Sequence, residues 1–229
     1  VESGSGGNTA LHAAAAEGDT AAVRRLLEAK ECDVGAENED EETAAELAAE
    51  GGHAAALAAL LEAHEDWLED DEVRRFARLT LKGGHAKAME VLIRAAELEE
   101  LPLKRLALEE GDAECLATAL VLTGGGIERV ELGFNSIGAA GAKAVMEAMN
   151  KHASVTELGL ASNHLGDEGI RQLSDAIFAI GLGMVRRLDL SSNACGGEGA
   201  FALASALSAA RDVAEAEEGY DFPLKVLDF

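Results

Sequence analysis

Hydrophobic positions along this chain fall into two periodic patterns. From Ile127 onward, apolar and polar residues alternate for a few positions and then give way to a helical stripe, three times over. The first copy reads Ile127-x-x-Val130-x-Leu132-x-x-Asn135-x-Ile137. The second is Val155-x-x-Leu158-x-Leu160-x-x-Asn163-x-Leu165, and the third Val185-x-x-Leu188-x-Leu190-x-x-Asn193-x-Cys195. The alternation predicts a short strand with Val130 and Leu132, Leu158 and Leu160, Leu188 and Leu190 pointing inward. Each copy runs on to a stripe of the +3, +6, +7 kind, as in Ala142, Val145, Ala148 and Met149, which predicts an amphipathic helix. The steps from Asn135 to Asn163 and from Asn163 to Asn193 are nearly equal, and a steady period of this size predicts stacked strand–helix units.

The pattern before Leu122 is helical only. Apolar residues recur at +5, +8 and +9 from Gly18, Gly52, Gly84 and Gly111, which marks one face of a helix after each glycine. The first of these units opens Asn8-Thr9-Ala10-Leu11-His12 and passes through Ala13–Gly18 to Val23 and Leu26. The second has Thr43 and Gly51-Gly52-His53, with Glu46 where the first has His12.

The first two helical units resemble ankyrin repeats, with Ala10 in place of the family's proline. The third and fourth fit as degenerate helix pairs by spacing alone. The resemblance implies that Thr9 and His12 close the turn before the first helix, and that Gly18 and Gly52 end such helices. The strand–helix rows resemble leucine-rich repeats of the ribonuclease-inhibitor type. That resemblance implies that Asn135, Asn163 and Asn193 form a buried ladder whose amides satisfy backbone groups at the turn. The expected fold class is therefore α/β overall, an all-α ankyrin-like solenoid joined to a strand–helix leucine-rich solenoid. The expected divisions are a flexible lead-in at 1–7, an ankyrin-like domain at 8–122 and a leucine-rich domain at 123–229. Thr123-Gly124-Gly125-Gly126 reads as a hinge or tight turn between them.

Charge narrows the partner class. The formal net charge is −24, of which −17 falls in residues 1–122 and −7 in 123–229. Such a chain repels phosphate, so nucleic acid is not an expected partner, and an anionic membrane surface is disfavoured too. A protein partner with a basic surface would be steered toward it. Two acidic loops join the first helical units, and Glu39, Asp40 and Glu41 of the first and Trp67 of the second are candidate partner contacts. On the strands, the side chains between the inward leucines include Arg129, Glu131, Phe134, Glu157, Arg187 and Asp189, the other candidate contacts. Arg129–Glu157 and Glu157–Arg187 are expected to pair laterally.

Signatures of catalysis are lacking. No metal-ligand spacing, nucleophile motif or phosphate loop is present, so no catalytic, metal or cofactor residue is expected. Cys32, Cys115 and Cys195 form no disulfide framework, which favours a reducing intracellular compartment, either the cytoplasm or an organelle interior if a leader was removed. No apolar run approaches the ~20 residues of a membrane span. Residues 223–229 begin a further strand, and the expectation is that more repeats or another chain cover that edge. The functional expectation is a non-enzymatic scaffold or adaptor that binds a protein partner through concave repeat surfaces. Regulation of a small GTPase, by resemblance of the repeat subclass to Ran-type activators, and an accessory subunit of a large assembly stand as alternatives.

Overall fold

In the computed structural model, residues 5–29, 32–63, 70–95, 97–151, 154–180, 184–216 and 224–229 are described. The chain divides into two units, Val1–Leu98 and Glu99–Phe229. Among the described residues, the first unit contains three helix pairs: α1 (Ala10–Ala16) with α2 (Thr20–Leu27), α3 (Ala44–Glu50) with α4 (Ala54–Glu62), and α5 (Asp70–Lys82) with α6 (Ala86–Ala95). The second unit alternates strand and helix: β1 (Glu100–Pro102), α7 (Glu110–Thr123), β2 (Arg129–Glu131), α8 (Gly138–Asn150), β3 (Glu157–Gly159), α9 (Gly166–Ile180), β4 (Arg187–Asp189), α10 (Gly197–Ala216) and β5 (Val226–Asp228).

In the first unit, alanine does much of the packing. Ala15, Ala48, Ala49, Ala56, Ala77 and Ala88 are fully buried. Residues this small let neighbouring helix axes approach closely, while Leu57, Leu60, Met89 and Leu92 fill what remains. Polar side chains lock one helix pair to the next. Thr9 caps α1, and its backbone N–H and hydroxyl both point at Nδ1 of His12, at 3.2 and 2.7 Å. With Nδ1 accepting, Nε2 carries the proton and donates to the Glu42 carbonyl of the following repeat, 3.0 Å away.

Glu46 does the same work with different chemistry. One carboxylate oxygen accepts from the backbone N–H and the hydroxyl of Thr43, at 2.8 and 3.1 Å. The other meets a guanidinium nitrogen of Arg75, on α5, at 2.8 Å. Thus the departure from histidine keeps both the local cap and the reach to the next repeat.

A second set of links runs backward. Nε2 of His53 lies 3.0 Å from the Ala16 carbonyl oxygen, and Nε2 of His85 lies 2.9 Å from that of Glu50. Each ring sits on the glycine of the preceding repeat. A Cβ at Gly18 would fall 2.4 Å from Nδ1 of His53, and one at Gly52 would fall 2.4 Å from Nδ1 of His85. Both glycines also have positive φ, +70° and +68°, so any side chain there meets strain and collision together.

Among the described residues, the second unit's strands form one parallel sheet in the order β1-β2-β3-β4-β5. The inward residues Leu101, Val130, Leu158 and Leu188 stand in register, each at most 1% exposed. The helices cover them with the expected stripe, of which Ala142, Val145, Ile170, Leu173 and Ile177 are fully buried.

The asparagine ladder is present, and its direction is specific. Nδ2 of Asn135 donates to the Leu132 carbonyl of its own row and to the Leu103 carbonyl of the row before, both at 2.8 Å. Its Oδ1 accepts from the N–H groups of Leu106 and Leu108, again in the row before. Asn163 reaches back in the same way to Leu132 and Ile137, and Asn193 to Leu160 and Asn163. Each asparagine therefore satisfies the turn of the preceding row.

This direction explains a difference from the expected boundaries. The fourth helix pair does not exist as a pair. Its glycine, Gly111, lies inside α7, and the residues before it make β1, which pairs with β2. Leu98-x-x-Leu101-x-Leu103-x-x-Leu106-x-Leu108 is a leucine-rich row with Leu106 at the asparagine position. Because asparagine serves the row behind it, the row that starts the sheet can carry leucine there. The division consequently falls after Leu98 rather than after Leu122. Gly124 is not a hinge between units but the left-handed C-cap of α7, at φ +75°.

Candidate partner-binding face

The strands turn alternate side chains away from the helices, and these build one charged face. Glu100, Arg129, Glu157 and Arg187 stand side by side across β1–β4. Two positions along, Glu131, Gly159, Asp189 and Asp228 stand side by side across β2–β5. Glu100, Lys104, Arg129, Glu131, Glu157 and Asp189 are among the residues lining a groove of about 330 Å3 on this face. Its floor is the central strand β3, where Leu158 and Gly159 are buried, so the charged groups stand on the hydrogen-bonded middle of the sheet.

The expected lateral pairs are not the ones formed. Arg129 donates from Nε and Nη2 to Oε2 of Glu100, at 2.9 and 2.8 Å. That hydrogen bond, followed by the charge of Glu100, raises the guanidinium's pKa, with Glu157 a lesser contributor. Arg187 turns to Asp228 on β5, at 3.1 Å. The reason is topological: Glu100 and Asp228 lie on strands that flank the three rows read from the sequence. Among the described residues, Glu157 is left without an ion pair. Asp189 instead accepts from the backbone N–H and the hydroxyl of Ser191, at 3.0 and 2.7 Å.

Phe134 borders this face in an unusual backbone state. The residue preceding each ladder position is left-handed in every row: Arg105 (φ +60°), Phe134 (φ +59°), Ser162 (φ +48°) and Ser192 (φ +58°). A bulky residue there carries roughly 1–2 kcal/mol of strain. Phe134 is 43% exposed, with the Arg105 guanidinium 4.6 Å and the Lys104 ammonium 5.2 Å from its ring centroid. Lys104 also reaches Glu131 at 3.5 Å. Neither cation stands out in the sequence, although both occupy β1-row positions equivalent to Gly133 and Phe134 of the next row.

Arg129, Glu131, Phe134, Glu157, Arg187 and Asp189 thus come together on one surface. Glu39, Asp40 and Glu41 belong to the other unit and are exposed on a turn. Asn38 builds that turn, its Oδ1 accepting from the N–H groups of Asp40 and Glu42, both at 2.9 Å. Trp67 lies outside the described residues. Thr9, His12, Gly18, Gly52 and the three asparagines sit at the repeat junctions described above.

Among the described residues, no cluster of three His, Cys, Asp or Glu side chains is placed to hold a metal ion. The three cysteines are free thiols. Burial, followed by the charge of Asp112, pushes the Cys115 thiol up to about 11, so it stays protonated and unreactive near neutral pH. No helix among the described residues is long and apolar enough to cross a membrane. The arrangement can offer paired charges and an aromatic edge to a macromolecular surface.

Comparison with known proteins agrees with this architecture. A family model described as ankyrin repeats (3 copies) matches residues 2–71, and a leucine-rich-repeat model matches residues 151–174 and 184–204. The human protein "NACHT, LRR and PYD domains-containing protein 13" is 34% identical over 101 residues. That match covers 44% of this chain and 10% of the relative, so the chain corresponds to a small part of that protein. A solved structure, the human ASB11 ankyrin repeat domain, aligns over 87% of this chain and 98% of its own at 15% identity. Its TM-score is 0.39, a superposition too loose to bear on function. The chain carries ankyrin repeats followed by leucine-rich repeats, two repeat types that generally serve as protein–protein interaction modules.

Proposed function

We propose that the protein is a non-enzymatic adaptor that binds a protein partner through the charged strand face of its leucine-rich unit. The observation that supports this most is the groove over β1–β4. Charged side chains of both signs converge there on a floor of paired strands. Mixed charge on a concave surface favours orientation and specificity of a docked protein. The acidic turn at Glu39–Glu41 adds long-range attraction for a basic partner, as does the net charge of −24.

The test is affinity capture from the native source with the intact chain and with the double charge reversal Glu157→Arg, Arg187→Glu. Both positions are accessible at the surface of the sheet, so the fold should persist, as circular dichroism would verify. A partner retained by the intact chain and lost with the reversed face supports the reading. A partner retained equally by both places the binding surface elsewhere.

A further inference from the structure

Lys104, Arg129 and Arg187 on the strand face each meet a carboxylate of the protein: Glu131, Glu100 and Asp228 in turn. Arg105 is used differently. Among the described residues no carboxylate or carbonyl accepts from its side chain, although the chain carries 43 acids against 19 Lys and Arg. Its guanidinium carbon lies instead 4.6 Å from the centroid of the Phe134 ring. The ring covers one side of the guanidinium group, whose N–H donors lie in its own plane. Arg105 is exposed, so its fork for a carboxylate stays available.

The backbone supplies a second, independent observation. Arg105 and Phe134 both hold the left-handed position before the ladder residue, at φ +60° and +59°. Ser162 and Ser192 make the same turn in the two rows that follow, so the turn does not need an aromatic ring. A bulky residue is a steric outlier in this region. Phe134 remains 43% exposed, so burial only partly offsets that conflict. Both backbones are nevertheless fixed: the N–H of Arg105 donates to the Gly133 carbonyl at 3.1 Å, and that of Phe134 to the Ala161 carbonyl at 2.8 Å. A strained, solvent-facing ring that braces an arginine without a carboxylate partner is a contact set in place before anything meets it.

We propose that the Arg105–Phe134 pair is the docking contact for an acidic side chain of the protein partner. The carboxylate is forked on the Arg105 guanidinium, and an adjoining apolar side chain lies on the open part of the Phe134 ring. Arginine and aromatic residues recur among the side chains that carry interface affinity, and the bracing ring lowers the ordering cost of the guanidinium. A basic side chain would meet Arg105 and Lys104 together here, so this ledge selects against one. The acidic turn attracts the partner at long range, whereas this contact fixes its local orientation. The inference rests on the strand face being the binding face, as proposed above.

The experiment is an NMR titration of the 15N-labelled full chain with the blocked tripeptide acetyl-Phe-Glu-Phe-amide. It is run at about 0.15 M salt, where the net charge is screened beyond ~8 Å. The control peptide carries glutamine in place of glutamate. The expected result is saturable shifts concentrated on the amides of Arg105, Phe134 and Ser162. Binding should be about fivefold or more weaker with the glutamine peptide and in Arg105→Gln. Phe134→Asn removes the ring and suits the left-handed backbone, so it should weaken binding while the thermal midpoint falls by no more than ~3 °C. A larger fall assigns the ring to the fold and overturns the proposal. Equal binding of the two peptides, equal binding to wild type and Arg105→Gln, or no saturable shift at these amides overturns it as well.

Failure of the ledge and failure of the face are separable. If the charge reversal Glu157→Arg, Arg187→Glu abolishes partner capture while Arg105→Gln and Phe134→Asn leave it intact, the ledge is wrong and the face stands. If the tripeptide obeys the ledge variants but partner capture ignores every one of these changes, the surface reading is wrong.

Discussion

The two units solve one problem, how to tie a repeat to its neighbour, with different economies. In the helix-pair unit the ties are isolated: His12 to Glu42, Glu46 to Arg75, His53 to Ala16, His85 to Glu50. Each reaches the neighbouring repeat at one target, so the chemistry of that reach is replaceable. The junction made by a histidine in one repeat is made by a glutamate–arginine pair in the next. In the strand unit each tie needs a donor and an acceptor on one short, buried side chain. Only asparagine fits, and it recurs at 135, 163 and 193. Where one side chain meets several backbone groups of the neighbouring repeat, its identity recurs; where it meets one group there, histidine and glutamate both serve.

The largest expected effect lies in the ladder. Asn163 is fully buried, and its amide serves backbone groups of two rows. Asn163→Ala strands those groups without water, at ~1–3 kcal/mol each, so a loss of about 3–5 kcal/mol in urea unfolding is expected. A loss below ~1 kcal/mol would erase the distinction between the two kinds of tie.

The helix-pair ties should tolerate more. Glu46→Ala frees Arg75 and the cap of α3 and should cost about 2 kcal/mol. Glu46→Gln keeps an acceptor for Thr43 and should cost about half as much, because most of the Arg75 side chain is in water. If Gln proved as damaging as Ala, the ion pair rather than the cap would hold the junction. Gly18→Ala, measured by the same unfolding assay, combines left-handed strain with displacement of the His53 ring and should cost ~1–3 kcal/mol. The doubly altered chain Gly18→Ala, His53→Ala should then lose less than the sum of its parts.

The smallest effect is an acid one, confined to the strand unit. Asp167 accepts from the N–H groups of Gly199 and Gly196 at the start of α10, and these bonds lower its pKa below the usual 3.8. A carboxylate with a depressed folded pKa stabilises fully above its unfolded value and loses that contribution as pH falls through the folded one. Hydrogen-exchange protection factors in the first turn of α10 should therefore fall below about pH 4, and Asp167→Asn should flatten that response. An unchanged acid response in the variant would remove Asp167 from the account.

What the sequence disclosed follows from the same contrast. The asparagine rows stood out because their side-chain demands repeat without variation. The row containing β1 was hidden because Leu106 lacks the marker, and because a buried stripe at +5, +8 and +9 from Gly111 suits either repeat type. That omission also concealed Glu100, and with it the partner of Arg129. The backward histidine ties were missed as well, although Gly51-Gly52-His53 and Gly83-Gly84-His85, in successive repeats, carry their signal. Glu46 looked like a loss because its compensating Arg75 lies in the next helix pair and belongs to no motif. Of the candidate face, Arg129, Glu131, Glu157, Arg187 and Asp189 follow from alternation with the inward residues, and Phe134 from its place just before Asn135.

The central claim is that a partner docks on the strand face. Its most direct measurement is hydrogen exchange of the chain with and without its captured partner. The account predicts new protection at 129–131, 157–159 and 187–189. Protection confined to the Glu39–Glu41 turn or to the outer helices, with those strand segments unchanged, would contradict it.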